Sequence, residues 1–108
     1  MFLIVNRHLI PKGYDGLAIF PFVLMKSKAL QNNPVFINHE RIHIRQQAEL
    51  LVIPFYVLYV VEYFLRLMIY GDKRKAYTNI SFEREAYENE KNPDYLKSRP
   101  FWNIIKYV

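Results

Sequence analysis

The 21 residues from Leu50 to Tyr70 carry only two charges, Glu62 and Arg66, and one proline, Pro54. No other stretch of this 108-residue chain limits its fold as strongly. A segment this apolar must leave water, into a core, a bilayer or a contact with another chain. Its length is enough to cross a bilayer once, and Lys73-Arg74-Lys75 follows it as a positive flank would. Against spanning, Glu62 and Arg66 stand four residues apart, so they can pair on one helical face but remain costly in hydrocarbon.

The rest of the chain is that of one folded domain, residues 1–108. With 52% hydrophobic and 23% charged residues it is not a disordered tail. It has no cysteine, which excludes a disulfide scaffold, a Cys-based zinc knuckle and a cysteine nucleophile. The net charge of +5 is dispersed: 73–75 is the one tight basic run, and four glutamates lie between 83 and 90. No nucleic-acid partner is expected from that pattern. The N-terminal apolar stretch is too short for a signal-peptide core and has no basic n-region. The expectation is therefore no cleaved export signal and a cytoplasmic or membrane-associated protein.

The pattern predicts an α+β fold, with an N-terminal β-hairpin or short antiparallel sheet followed by three to four helices. Residues 2–10 and 17–25 read as strands around the turn residues Pro11 to Gly16. Pro21 would remove a ladder donor, which suits an edge or a bulge. The β part covers 1–30. Asn33 and Pro34 begin a helix that runs to about Leu51, Pro54 interrupts it, and a second helix over 55–70 stops at Gly71. A polar link, 71–79, leads to a third helix from Phe82 to Lys91 capped by Asn79 or Ser81. The aromatic tail, 93–108, docks as a short helix.

His39-Glu40-Arg41-Ile42-His43 is H-E-x-x-H. On a helix the two histidines are one turn apart and face the same way, so two imidazoles can take two corners of a Zn²⁺ tetrahedron. Glu40 is rotated about 100° from His39, within reach of a water beside the metal, where it would act as general base. A zinc site of this kind needs a third protein ligand. The motif is not extended by a third histidine, since positions 46 and 49 are Gln and Glu. The candidates are His8 and the glutamates of residues 81–90.

The chain resembles the gluzincin-type zincin metallopeptidases, in which a downstream helix supplies a glutamate in an E-x-x-A-type motif. Glu83-Arg84-Glu85-Ala86 fits it. The resemblance implies Glu83 as third ligand, Glu85 as the alternative, and a small Ala86 that lets two helices approach. The chain is similar too to membrane-linked M48-type peptidases, and its His39 to Gln47 segment to small bacterial zincin-like domains. The resemblance covers about residues 34–90 and rests on two short motifs; residues 34–92 would form the metal-binding helices. Those peptidases place Asp after the Ala, where this chain has Tyr87. Support for a ligand histidine would then come from Asn38, Gln46, Gln47 or Asn89. Glu88 and Glu90 are expected to be solvated. Tyr77, Tyr87 and Tyr95 are candidate oxyanion donors. Ala18, Ile19 and Phe20 are the candidate edge to which a peptide substrate would add as a strand.

If 50–70 crossed a bilayer once, His39 and Glu83 would be separated by about 30 Å, against zinc–ligand bonds of about 2 Å. The expectation is that 50–70 folds back as a central core helix, with its apolar side against a membrane surface or in a homodimer contact. The functions left open are a zinc-dependent metallopeptidase acting on a peptide or protein substrate, and a non-catalytic zinc-stabilised or membrane-associated interaction protein.

Overall fold

In the computed structural model, which describes residues 1–108, the Asn33 side chain accepts hydrogen bonds from the Val35 and Phe36 N–H groups, both 3.1 Å. Pro34 occupies the first turn, where its missing N–H costs nothing. Helix α1 so begun spans Pro34–Leu50. Leu51 ends it with φ 68°, and Pro54 falls in the first turn of helix α2, Val52–Tyr70. The interruption expected at Pro54 therefore lies three residues earlier. Gly71 closes α2 in the left-handed region (φ 65°), its N–H bonded to Leu67 O.

The chain is α+β, as the pattern predicts, with a small sheet ahead of five α-helices. One helix was not foreseen. The polar link forms α3, Lys73–Thr78, because the Asp72 carboxylate accepts from the Arg74 and Lys75 N–H groups. The tail contributes α5, Tyr95–Ser98, and a 3₁₀ turn, Asn103–Tyr107. Helix α4, Ser81–Asn89, is capped neither by Asn79 nor by Ser81. Asn79 ends α3, and Ser81 is already helical. Glu62 of α2 serves instead, accepting from the Ser81 N–H (2.7 Å) and the Ser81 hydroxyl. A carboxylate there also meets the positive end of the helix dipole.

The β part differs in topology from a simple hairpin of 2–10 and 17–25. Strand β1 is Phe2–Val5, and residues 17–25 divide into β2, Gly16–Ile19, and β3, Phe22–Met25, turning at Phe20-Pro21. The order is β1-β3-β2: β2 and β3 are antiparallel, and β1 lies parallel to β3 with Phe2 opposite Phe22. Proline thus sits in the turn, where no ladder donor is needed. Gly16 is required by close approach, since a Cβ there would enter the ring of Phe36 at the start of α1.

Two apolar clusters hold the helices. One joins Phe55, Ile80, Phe82 and Ile104; the other joins Ile42, Ala86 and Tyr95. Of 24 buried residues, 11 are polar or charged, so the seam between α1 and α4 is largely a polar interior that must be internally satisfied. Helix α2 is not the central core element expected. Only Phe55 is fully buried on it, and it packs at the periphery through one side.

Candidate metal centre

Helices α1 and α4 meet where both are at their most polar. Ile42 on α1 and the small Ala86 on α4 pack in one apolar cluster, both fully buried, and bring the two backbones close. Beside that contact His39 and His43, one turn apart on α1, converge on Glu83 of α4. His39 Nε2 lies 3.1 Å from Glu83 Oε1, His43 Nε2 lies 3.1 Å from the same oxygen, and the two Nε2 atoms are 3.2 Å apart. Zinc bonds of about 2.0–2.1 Å at tetrahedral angles place neighbouring ligand atoms about 3.3 Å apart. The three atoms therefore form one face of such a tetrahedron, and the donor set, two imidazoles and a carboxylate, suits Zn²⁺. All three side chains are buried.

Each of the three side chains is held from behind. The His39 Nδ1–H donates to Glu90 Oε2 (2.8 Å), and the His43 Nδ1–H donates to Gln46 Oε1 (2.8 Å), which leaves both Nε2 atoms for a metal. The Tyr59 hydroxyl of α2 donates to Glu83 Oε2 (2.6 Å), leaving Oε1 for the centre. Gln46 is itself fixed, donating to Phe82 O (3.1 Å) and Glu85 Oε1 (2.9 Å). Asn38 donates to the carbonyls of Asn89, Glu90 and Asn92 and so holds the end of α4 that carries Glu90.

The electrostatics suit a cation. Burial works against a charged His43, but the Glu83 carboxylate outweighs it and raises the imidazole to about 9. Burial would raise Glu83, yet His43 and His39 hold its carboxyl below the usual range. The three side chains turn ligand atoms toward one point, where a divalent cation can sit. Glu40 is different. It is buried, faces the two cavities beside the cluster, and makes no side-chain hydrogen bond with protein. Burial pushes its carboxyl up, against the opposing pull of the two histidines.

Two cavities open on either side of Glu40, and both are lined by Tyr14, Gly16 and Tyr77 as well. One, about 300 Å³, is walled by Leu17, Phe55, Tyr56, Tyr59 and Val60. The other, about 290 Å³, is more polar, with His39, Arg74, Tyr87 and Glu90. Arg74 lies over the rings of Tyr14 and Tyr77, 5.8 and 5.5 Å from their centroids.

His39, Glu40, His43 and Glu83 are thus brought together. Glu85 is not with them: it is fully buried on the other side of α4, bonded to Arg99, Tyr95 and Gln46. Its helical position, two residues from Glu83, turns it about 200° away. His8 is exposed on the turn after β1 and is not part of the cluster. Glu88 is exposed as expected, whereas Glu90, expected in solvent, braces His39. Glu90 therefore supplies from one turn later the carboxylate that position 87 lacks. Tyr87 packs edge-on against the His39 ring, 4.6 Å between centroids, and Tyr95 serves Glu85. Tyr77 lines both cavities, and burial, with Glu83 nearby, holds its hydroxyl protonated.

The Ala18–Phe20 edge is engaged by the protein itself. Ala18 O accepts from Gln47 Nε2 (2.8 Å) and from the Tyr56 hydroxyl, and Phe20 N–H donates to Gln47 Oε1 (2.6 Å). A substrate strand adding along these residues would have to displace both side chains. Gln47 thus fastens the sheet to α1, and Gln46, its neighbour, fastens the ligand. If the cluster holds zinc, replacing Gln46 by Leu is expected to weaken its binding about 10–100-fold by freeing the His43 ring. Competition against a chromophoric chelator measures this, and an unchanged affinity would mean that Gln46 does not orient His43.

Tyr59 and Glu90 were missed in the sequence. Glu90 had a signal, since Glu83, Ala86 and Glu90 share one helical face at i, i+3 and i+7. Tyr59 had none, because its role depends on which side of α2 meets α4. No protein-family model matches this chain, and no curated protein or solved structure matches it.

Proposed function

We propose that this chain is a minimal zinc-dependent metallopeptidase, with His39, His43 and Glu83 holding the metal and Glu40 as general base. The observation that carries the reading is the tetrahedral-face spacing of three buried ligand atoms beside a buried carboxylate that has no protein partner. A purely structural metal site has no use for such a carboxylate at the junction of two cavities. Zinc bound there supplies Lewis-acid polarisation of a carbonyl and acidifies water.

The chain's own residues account for the remaining steps. A peptide lying across the junction of the two cavities presents its carbonyl to Glu40 and Tyr77. Glu40 takes a proton from water as the water oxygen bonds to the carbonyl carbon, and then gives that proton to the leaving nitrogen as the C–N bond breaks. The Tyr77 hydroxyl, which lines both cavities beside Glu40, would donate to the oxygen that gains charge. Gln46, Glu90 and Tyr59 keep the ligands from rotating as that charge develops.

Elemental analysis tests the reading. The purified chain is expected to carry about one zinc, and His39→Ala and Glu83→Ala to carry almost none. A quenched-fluorescent peptide library is expected to be cleaved, with activity lost to a chelator and restored by zinc. A wild-type chain that takes up no zinc after reconstitution would sink the proposal.

A further inference from the structure

Helix α2 is amphipathic in the inverse sense. Its polar side chains, Tyr56, Tyr59, Glu62, Tyr63 and Arg66, recur every three or four residues and turn toward the protein. Tyr56 bonds to β2, Tyr59 to Glu83, and Glu62 to Ser81 and Arg66. The opposite side carries Ile53, Val57, Val61, Phe64, Met68 and Ile69, all exposed, up to 77% for Ile53 and 83% for Met68. At about 100° per residue this outward side covers about half the helix circumference. It contains no polar residue to hold water.

We infer that this face is a membrane-docking surface, and that α2 lies in the plane of an anionic lipid surface with its outer half immersed. Three observations select lipid over a second copy or a partner helix. The apolar side is about twice as wide as the stripe that one packed helix covers. It has no Gly, Ala, Ser or Thr, the residues that let helices approach one another closely. Charge is complementary: exposed Lys73 and Lys75 follow the helix directly, and the chain is +5 overall. The inner side carries the site and its buried charges along the length of α2, so a spanning orientation would draw those charges into hydrocarbon, whereas an in-plane one leaves them above it.

The tail extends the surface. Leu58, Leu65, Trp102, Ile105 and Val108 line one apolar groove of about 600 Å³ beside α2, and Phe101 stacks on Trp102. Val60 belongs both to the exposed side of α2 and to the wall of the 300 Å³ cavity. The inference does not depend on the hydrolase reading.

Flotation of the full chain with phosphatidylcholine vesicles, with and without phosphatidylglycerol, tests it. Binding is expected to the anionic vesicles, falling with salt, with a blue shift of Trp102, the chain's one tryptophan. Phe64→Glu with Met68→Glu is expected to reduce the bound fraction at least about tenfold. Lys73→Glu with Lys75→Glu, on the exposed turn, is expected to do the same for the anionic vesicles, and it keeps the test valid if the first variant misfolds. No flotation with either vesicle would overturn the inference. So would a lipid-free dimer that the Phe64/Met68 variant dissociates, or binding that neither variant alters.

Discussion

Glu40→Gln is expected to leave about one zinc bound per chain and to reduce peptide hydrolysis by about 10²–10⁴-fold, the usual contribution of a positioned general base. Glutamine is nearly isosteric with glutamate, and Glu40 ligates nothing and bonds to no protein side chain, so the fold and the three ligand atoms have no reason to move. The loss should fall on kcat, with KM little changed, because proton transfer occurs only on the way to the transition state. Glu83→Ala should behave oppositely and lose zinc and activity together. The pair of variants separates the two functions left open by the sequence. In a zinc-stabilised interaction module Glu40→Gln would alter nothing, and Glu83→Ala would lower stability without any turnover to lose. A Glu40→Gln variant as active as wild type would remove the carboxylate from the mechanism.

The parts of the site that were legible in the sequence are those written within one helix. The start of α1 at Asn33-Pro34 and the i, i+4 pair of His39 and His43 depend on local geometry alone, and both stand as read. Glu83 stands out only through its likeness to a motif, and the structure brings it to the histidines through the Ile42–Ala86 seam. What was not legible depends on which faces meet. The parallel β1–β3 pairing joins segments whose alternation fits either direction. The polar residues of α2 show helical spacing in the sequence, but their inward orientation does not: the same spacing describes a wet face on an ordinary surface helix. Tyr59 on Glu83 and Glu62 at the head of α4 both follow from that inversion. The aromatic residues of the tail point to a docking helix. Its real anchor is a charge, Arg99, for which composition gave no signal.

Arg99→Leu is expected to destabilise the chain by about 3–5 kcal/mol, the loss typical of removing one partner from a buried ion pair. The guanidinium lies buried between two carboxylates, donating from Nη1 to Glu49 (2.7 Å) and from Nε and Nη2 to Glu85 (2.5 and 3.2 Å). Leucine fills much of its volume but leaves Glu49 and Glu85 facing each other without a cation. The effect should depend on pH in a definite direction. Burial would raise the Glu85 carboxyl, but hydrogen bonds from Arg99, Tyr95 and Gln46 hold it below its ordinary value. A depressed carboxyl stabilises the fold above its unfolded pKa, and that contribution is lost as pH falls through the folded value. The gap between wild type and variant should therefore be full near neutrality and narrow in acid. Glu49→Gln and Glu85→Gln added to Arg99→Leu should recover part of the loss, because the uncompensated charges are gone. The single variant should also bind zinc more weakly, since Glu85 anchors Gln46 and Gln46 holds His43. Urea denaturation at several pH values measures the first effect, and chelator competition measures the second. An Arg99→Leu chain within about 1 kcal/mol of wild type, below the range for a broken buried pair, would mean that the tail is not held by this charge.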